Sequence, residues 1–191
     1  MKIVLATSNP HKLQEIKDIA KDINFELALV GKGFDPEETG STFKENSYIK
    51  AYEAAKLTGK IALADDSGLC INALGGAPGI FSSRYAPTPE KKIEKVLLNL
   101  DGESDRSAFF ECNMTLVNPD GKVLFSSTGR IDGVISKEPY GTNGFGYDPI
   151  FFVPSLNKTM AEMSEEEKNT HSHRAKALMP MLEYISKNIT D

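Results

Sequence analysis

The start of the chain alternates short apolar runs with amphipathic segments, and this alternation limits the fold more than any other feature of the sequence. Ile3 to Ala6 is an uninterrupted apolar run that predicts a buried strand. Asn9-Pro10 follows as a helix-start signal, because a proline at the first helical position lacks only an N–H that would have no partner. Apolar residues at helical spacing between Leu13 and Ile23 then predict an amphipathic helix.

A second helix and a second strand complete this opening. Thr42 and Glu45 have the spacing of a capping box, and Gly59 is a typical residue just after a helix end. Ile61 to Ala64 is another apolar run. The order strand, helix, loop, helix, strand is typical of an α/β domain.

The apolar period changes in the middle of the chain. Thr88-Pro89 begins a third predicted helix, whereas apolar and polar residues alternate from Phe110 to Leu116, as in a half-buried strand. Turn residues from Asn118 to Gly121 lead into Lys122 to Phe125, which predicts a hairpin. We therefore expect an α/β fold with a mixed sheet flanked by helices, in which the hairpin is a candidate second lobe.

The last predicted helix contains a proline. Apolar residues recur at helical spacing from Leu178 to Ile189, yet Pro180 lies inside this stripe and lacks a backbone donor. The sequence therefore predicts either a kink at Pro180 or a helix that restarts there.

Length and charge exclude several classes of protein. With 191 residues the chain has room for one large or bilobal domain, which we place at residues 1–191. A net charge of -5 argues against a broad basic face for nucleic acid, so we expect no nucleic-acid partner. Cys70 and Cys112 are too few for a disulfide framework or a four-cysteine zinc site. The sequence shows neither a signal peptide nor a membrane span, so we expect a cytoplasmic protein that binds no membrane.

The first candidate functional motif lies between the first strand and the first helix. Helix N-termini attract anions through the helix dipole and free backbone N–H groups, and Lys12 adds a full positive charge. This favours a phosphate cradle, although ordinary helix capping with a surface lysine is the alternative. The glycine-rich loop of a P-loop is missing. The candidate residues are Thr7, Ser8, Asn9, Pro10, His11 and Lys12.

Paired acidic residues form the second motif. Asp65 and Asp66 directly follow the apolar run at Ile61 to Ala64, and carboxylates at a strand end suit Mg²⁺. Glu37 or Glu38 is a candidate for a further acid. An Asx turn at Asp66-Ser67-Gly68 in a solvated acidic loop is the alternative.

Two more motifs could bind a base. The loop at Phe145, Gly146, Tyr147 and Asp148 offers aromatic faces for stacking and an acid to read a base edge. Lys168, His173 and Arg174 precede the last helix and could bind an oxyanion or a purine carbonyl. Turns with packed aromatics and a capped helix entry are the corresponding structural alternatives. Together the four motifs complement a nucleoside triphosphate with Mg²⁺.

The motifs also resemble those of a known family. Five segments occur in the order and context of the inosine triphosphate pyrophosphatases, which hydrolyse non-standard purine nucleoside triphosphates. Tyr147 stands where some members have tryptophan. The segments are Thr7-Ser8-Asn9-Pro10-His11-Lys12, Ala64-Asp65-Asp66-Ser67-Gly68-Leu69, Leu74-Gly75-Gly76-Ala77-Pro78-Gly79, Phe145-Gly146-Tyr147-Asp148-Pro149 and Ser172-His173-Arg174.

The resemblance implies a fold, a reaction and a set of roles. It implies an elongated α/β homodimer with an active-site cleft between two lobes, and Mg²⁺-dependent cleavage of ITP, dITP or XTP to the monophosphate and pyrophosphate. Asp66 would be a metal ligand and general base, with Glu37 as the second metal acid, its neighbour Glu38 as the alternative, and Asp65 as a further candidate. Lys12, Ser8, Asn9, Lys50 and Arg84 would hold phosphates, while Ser67, Phe145 to Asp148, Lys168, His173 and Arg174 would bind the nucleotide.

Two rival functions stay open at this point. One is a related pyrophosphatase for modified pyrimidine or methylated guanine nucleotides. The other is a nucleotide-binding module without catalysis, for which the acidic charge disfavours RNA as the ligand.

Overall fold

The structure is a computed structural model that describes residues 2–21, 25–31 and 33–189, so Ile23 of the predicted first helix lies outside the described residues. Helices and strands alternate along the chain, as in an α/β fold. No helix in the described ranges is long and apolar enough to cross a bilayer. The elements are β1 (Lys2–Leu5), α1 (Pro10–Ile19), β2 (Glu26–Leu29), α2 (Phe43–Thr58), β3 (Ala62–Ile71), α3 (Pro89–Asn99), β4 (Ser107–Val117), β5 (Val123–Ile135), β6 (Phe151–Val153), β7 (Lys158–Thr159), α4 (Glu165–His171) and α5 (His173–Asn188).

The strands form one mixed sheet in the order β2-β1-β3-β4-β5-β6-β7. β1 is parallel to both β2 and β3, whereas β6 is antiparallel to β5 and β7. The predicted mixed α/β architecture is confirmed. The sequence did not predict β2, because this edge strand has only one pair of alternating apolar residues, Leu27 and Leu29.

Contacts divide the chain into two compact units. The first unit comprises Met1–Asp66, Cys112–Gly129 and Arg174–Asp191, and the second comprises Ser67–Glu111 and Arg130–His173. The chain passes between the two units four times, and at two of these places, Asp66-Ser67 and His173-Arg174, predicted site residues are neighbours in sequence. The assignment of residues 1–191 to a single bilobal domain remains a prediction.

Both faces of the sheet are covered in the first unit. Side chains of a strand alternate between faces, so Ile3 and Leu5 pack with Ile16 of α1 and with apolar residues of α5. Val4 and Ala6 point the other way and pack against three alanines of α2, which let the helix lie close to the strands. These contacts place the N-terminus of α1 and the middle of α2 beside the ends of β1 and β3.

The second unit has its own core. Val96 and Leu100, from α3 and its end, pack against Phe110 of β4 and Phe151 of β6. The rings of Phe110 and Phe151 are 4.7 Å apart at their centroids. This core supports the loop that precedes β6.

Three local predictions need correction. β3 does not end at Ala64: it continues to Ile71, so Asp65 and Asp66 lie within a strand and the Asx-turn alternative is wrong. α5 runs without a break through Pro180, so the restart is excluded. His173 and Arg174 are in the first turn of α5 rather than before it, since the preceding α4 already ends at His171.

Candidate active site

Asp65 and Asp66 lie where β3 extends past the end of its neighbour. Leu5, the last residue of β1, pairs with Leu63, so the part of β3 that carries the two acids has no partner from β1. Successive side chains of a strand point to opposite faces, and the two carboxylates accordingly contact different lysines. The sequence predicted that the acids follow the end of their own strand, whereas it is the neighbouring strand β1 that ends, at Leu5, and β3 continues past both acids.

Asp65 is surrounded by positive charge. Its Oδ2 atom lies 2.8 Å from Nζ of Lys12 and 3.5 Å from Nη2 of Arg174. Arg174 in turn donates to Oε2 of Glu15. Burial would raise the pKa of Asp65, but the charges of Lys12 and Arg174 outweigh burial and hold this pKa well below its usual range. Asp65 is therefore a fixed counter-charge in the first unit.

Asp66 belongs to a second group of charges. Nζ of Lys50 lies 2.9 Å from Oδ1 of Asp66 and 2.7 Å from Oε1 of Glu38. Burial raises the pKa of Asp66 above its ordinary value, and the charge of Lys50 offsets only part of this effect. Burial alone would lower the pKa of Lys50, but its acidic neighbours raise it. The ammonium of Lys50 thus bridges two carboxylates.

The structure distinguishes the two candidate glutamates. Glu38 is half-buried and contacts Lys50, whereas Glu37 is exposed. The geometry therefore places Glu38, the alternative at the sequence level, in the group with Asp66. Adjacent side chains of the extended loop point in different directions, so Glu37 is exposed and Glu38 is half-buried. Two adjacent identical residues give no sequence signal for which of them points inward.

The turn before α1 is a helix cap. Oδ1 of Asn9 accepts hydrogen bonds from the backbone N–H groups of His11 and Lys12, at 2.9 and 3.3 Å. Oγ1 of Thr7 accepts from the N–H of Asn9. Asn9 thus occupies the N–H groups of His11 and Lys12, which were candidates for binding an anion, as the capping alternative predicted. Ser8, Pro10 and His11 are exposed, and Lys12 supplies the cation of this turn.

In the second unit, Asp148 organises the aromatic loop. Its Oδ2 atom accepts from Nζ of Lys168 at 2.6 Å and from the N–H of Phe145 at 2.8 Å. The same Nζ lies 4.6 Å from the centroid of the Phe145 ring. Gly144 has a φ of +73°, and a Cβ there would lie 2.1 Å from Oδ2 of Asp148, so only glycine fits. The structure therefore brings three predicted base-binding residues together around one ion pair.

Tyr147 has a different role from the one predicted. Its ring is buried in the core of the second unit, and its hydroxyl donates to the carbonyl of Ser82 at 2.9 Å. Burial raises the pKa of Tyr147 above its usual range. The expectation that Tyr147 offers a stacking face is wrong, because the ring packs inside the core and leaves no face exposed for a base. Phe145 is the partly exposed ring of this loop.

The remaining predicted residues are distributed over the second unit. The ring of His173 stacks on Phe110 with a centroid distance of 4.8 Å. Arg84 is exposed, and its guanidinium lies 5.5 Å from the centroid of the Phe81 ring. Ser67 is half-buried in β3. The phosphate-binding role of Arg84 stays a prediction.

The acids fit a divalent cation of the magnesium type. Among the described residues, no group of three or more His, Cys, Asp or Glu side chains could hold a metal by itself. Mg²⁺ commonly takes one or two protein carboxylates and completes its shell with water and phosphate oxygens. In the described ranges, Oδ2 of Asp66 is buried without a hydrogen-bond partner, whereas Oδ1 is held by Lys50. Asp66 therefore keeps one oxygen available for a cation or a water proton.

Sequence reasoning missed Glu15. Glu15 lies three residues after Lys12 in α1, so the two side chains share a helix face, and Glu15 holds the guanidinium of Arg174. Helical spacing from Lys12 was the signal that could have identified it. Its partner, 159 residues away in the sequence, gave no such signal.

Comparisons with known proteins agree with the motifs. Residues 3–184 match the model of the Ham1 family. The chain is 47% identical over 175 residues to the dITP/XTP pyrophosphatase of Parasynechococcus marenigrum (strain WH8102), covering 92% of this chain and 90% of the relative. It is 46% identical over 187 residues to the dITP/XTP pyrophosphatase of Staphylococcus epidermidis, covering 96% and 95%.

Solved structures give the same result. A HAM1 protein from Coxiella burnetii is 46% identical and superposes with a TM-score of 0.90, over 98% of this chain and 99% of that one. A nucleoside-triphosphatase described as a dITP/XTP pyrophosphatase from Mycobacterium abscessus is 38% identical, with a TM-score of 0.77 over 95% and 99% of the chains. The family expected from the five motifs is confirmed, and the chain belongs to the Ham1 family.

Proposed function

We propose that this chain hydrolyses non-canonical purine nucleoside triphosphates, namely ITP, dITP and XTP, to the monophosphate and pyrophosphate. The relatives named dITP/XTP pyrophosphatase support this substrate class, since the identity extends over nearly the whole chain. The observation that carries the proposal is Asp66, a buried carboxylate with one oxygen bound to Lys50 and the other without a partner in the described residues. Such an acid can accept a proton from water.

The proposed mechanism assigns phosphate binding and water activation to the first unit. Lys12 and Lys50 neutralise phosphate oxygens as negative charge develops on the leaving pyrophosphate. Asp66, with one oxygen bound to Lys50, orients a water molecule and takes its proton. No covalent intermediate is required, because water attacks the phosphorus directly.

We further propose Mg²⁺ as the cofactor, held by Asp66 and Glu38. When bound, Mg²⁺ would neutralise phosphate oxygens and fix the orientation of the triphosphate. Glu38 replaces Glu37 in this assignment because Glu38 contacts Lys50, which also contacts Asp66. Asp65 is not assigned to the metal, since Lys12 and Arg174 occupy its neighbourhood.

Base recognition is assigned to the second unit. The ring of Phe145 supplies a stacking face, and Lys168 and His173 are candidate donors to the six-position carbonyl of hypoxanthine or xanthine. Adenine carries an amino group at that position, which would leave a donor unpaired and lower its affinity. We propose that this selection removes deaminated purines from the nucleotide pool in the cytoplasm, and that the enzyme acts as a homodimer.

A substrate panel tests the proposed function. The purified protein is incubated with Mg²⁺ and ITP, XTP, dITP, GTP, ATP or dTTP, and pyrophosphate is separated from orthophosphate. We expect pyrophosphate from ITP, dITP and XTP and little turnover of ATP and dTTP. Release of orthophosphate alone, or a preference for ATP, would contradict the proposal.

A further inference from the structure

The loop that carries Glu38 is attached to the first turn of α2. Both the N–H and the hydroxyl of Ser41 donate to Oε2 of Glu45, at 2.7 and 2.8 Å. Oγ1 of Thr42 accepts from the N–H of Glu45 at 3.1 Å, as in one half of the predicted capping box. The carboxylate of Glu45 also interacts with the backbone N–H of Thr42, but its short hydrogen bonds are those with Ser41. The loop is thereby held close to the helix that carries Lys50.

Asn46 binds the backbone of this loop close to Glu38. Its Oδ1 atom accepts from the N–H of Gly40 at 2.8 Å. A Cβ at position 40 would lie 2.6 Å from this Oδ1 atom and 2.6 Å from Cβ of Glu45. Gly40 is therefore required for the loop to approach the helix, and Asn46 fixes the backbone two residues after Glu38.

Asn46 and Lys50 act on the same loop from one helix face. Residues four apart lie one above the other on a helix, so the amide of Asn46 is one turn from the ammonium of Lys50. Asn46 binds the loop through Gly40, whereas Lys50 binds it through the carboxylate of Glu38. Two anchors on one rigid helix define where that carboxylate lies.

Burial indicates that Asn46 is kept for more than packing. The residue is fully buried, and its Nδ2 atom has no hydrogen-bond partner among the described residues. A buried donor without an acceptor destabilises the fold, because it has lost its hydrogen bonds to water. An apolar side chain would avoid this cost, but it would leave the N–H of Gly40 without its acceptor.

We propose that Asn46 is a positioning residue that sets Glu38 for divalent-cation binding through the Asn46-Gly40 hydrogen bond. The inference rests on the proposed function, in which Glu38 and Asp66 hold the cation. Without Asn46, the backbone two residues after Glu38 loses its anchor at Gly40, so the loop is less ordered before the cation binds and part of the binding free energy must order it. Groups that orient a metal ligand typically contribute about 10- to 100-fold to metal affinity.

The test measures cation binding without any nucleotide. Mn²⁺ serves as the probe, and the free ion is quantified by electron paramagnetic resonance during a titration of the protein. The variants are Asn46→Ala, Gly40→Ala, Glu38→Gln and the double variant Asn46→Ala/Glu38→Gln. Ser47→Ala is the matched control, because Ser47 is the adjacent, fully buried polar residue of α2 and loses hydrogen bonds to Asn113 and Thr115 instead.

We expect Asn46→Ala and Gly40→Ala each to weaken Mn²⁺ binding about tenfold. Ser47→Ala should change the Kd for Mn²⁺ less than about twofold, while it lowers the melting temperature about as much as Asn46→Ala does. The double variant should bind no more weakly than Glu38→Gln, because Asn46 acts through Glu38. In kinetics, the Mg²⁺ concentration for half-maximal rate should rise in Asn46→Ala, with the nucleotide KM unchanged at saturating Mg²⁺.

Several outcomes would overturn the inference. Equal Mn²⁺ affinity in Asn46→Ala and Ser47→Ala would make Asn46 merely structural, and full additivity in the double variant would show that it does not act through Glu38. If Asn46→Ala does not fold, Gly40→Ala decides the question from the other side of the hydrogen bond. If the wild type hydrolyses ITP and Asn46→Ala binds Mn²⁺ as tightly as the wild type, this inference alone is contradicted. If the wild type itself binds no Mn²⁺, the metal assignment is contradicted as well.

Discussion

Nζ of Lys12 and Oδ2 of Asp65 are 2.8 Å apart, although the two residues are 53 positions apart in the sequence, and the same Oδ2 atom lies 3.5 Å from Nη2 of Arg174. One carboxylate oxygen thus balances a cation from α1 and another from α5. Because Lys12 is already held in place, a phosphate that binds it needs little further ordering of the side chain.

Replacement of Asp65 by asparagine should mainly reduce stability. Asp65→Asn keeps the shape of the side chain but removes a buried negative charge that Lys12 and Arg174 share, and although Glu15 still pairs with Arg174, breaking such a buried pair typically costs about 3–5 kcal/mol. Denaturant unfolding followed by circular dichroism measures the loss. Glu26→Gln, at an exposed ion pair with Lys2, is the control and should leave stability nearly unchanged, because solvent and salt screen exposed charges. Equal losses in both variants would contradict the role of Asp65.

The same pair determines how stability depends on acid. The pKa of Asp65 is lower in the folded protein than its ordinary value of 3.8, so the carboxylate stabilises the fold above that value. This contribution is lost as the pH falls below 3.8 towards the lower folded pKa. Wild-type stability should therefore decline more steeply in this range than that of Asp65→Asn. Parallel acid-unfolding curves for the two proteins would contradict the prediction.

Replacement of Asp66 by asparagine should remove turnover and keep the fold. A general base typically contributes about 10²- to 10⁴-fold to the rate, so kcat for ITP should fall by at least the lower figure. The melting temperature should stay close to that of the wild type or rise, because a buried carboxylate with a raised pKa is replaced by a neutral amide. Near-normal hydrolysis by the folded variant would disprove the assignment of both base and metal ligand.

The pKa of Asp66 should depend on Lys50. Burial already raises this pKa above 3.8, and the positive charge of Lys50 opposes the increase. Lys50→Met removes the opposing charge, so Asp66 should titrate at a still higher pH, whereas Lys50→Arg should leave the value close to that of the wild type. Carbon-13 NMR of the side-chain carboxyl in the metal-free protein measures it, with Asp66→Asn identifying the resonance. A downward shift in Lys50→Met would contradict the assigned electrostatics.

Lys12 should contribute to binding of the triphosphate. Lys12→Ala removes a cation that is 14% exposed and next to a helix start, and we expect KM for ITP to rise about tenfold as one charge-assisted contact of about 1.4 kcal/mol is lost. Binding of the product monophosphate, measured by calorimetry, should change less than that of the triphosphate. Unchanged kinetics would show that Lys12 serves only as the counter-ion of Asp65 and does not bind the triphosphate.

The two aromatic residues of the second unit should separate in function. Phe145→Ala removes a partly exposed ring, and loss of base stacking typically costs about 1–3 kcal/mol, so KM for ITP should rise about 5- to 150-fold. Tyr147→Phe removes the hydrogen bond to the carbonyl of Ser82 and should lower stability by about 1 kcal/mol with KM unchanged. If Tyr147→Phe alters KM and Phe145→Ala does not, the corrected assignment is wrong.

Local rules of the sequence were sufficient for most helices. The caps at Asn9, Thr42 and Thr88 each accept a backbone hydrogen bond in the first turn of their helix, and Gly59 ends α2 with a φ of +65°. Capping and helical spacing involve residues only a few positions apart. They can therefore be read without knowledge of the rest of the chain.

Other features depend on partners that are far away in sequence. β3 continues through Asp65 and Asp66 although its neighbour β1 ends at Leu5, since β4 lies on its other side. Glu38 is favoured over Glu37 because of Lys50, and Tyr147 turns inward to the carbonyl of Ser82. None of these contacts has a local signal.

The sequence by itself determined the α/β class, the helix starts and the family, because each is encoded in spacing between near neighbours or in short ordered motifs. The tertiary structure alone decided which acid joins Asp66 and which aromatic stays exposed. Those outcomes depend on the direction of individual side chains, and direction is fixed only when distant strands and helices pack against one another.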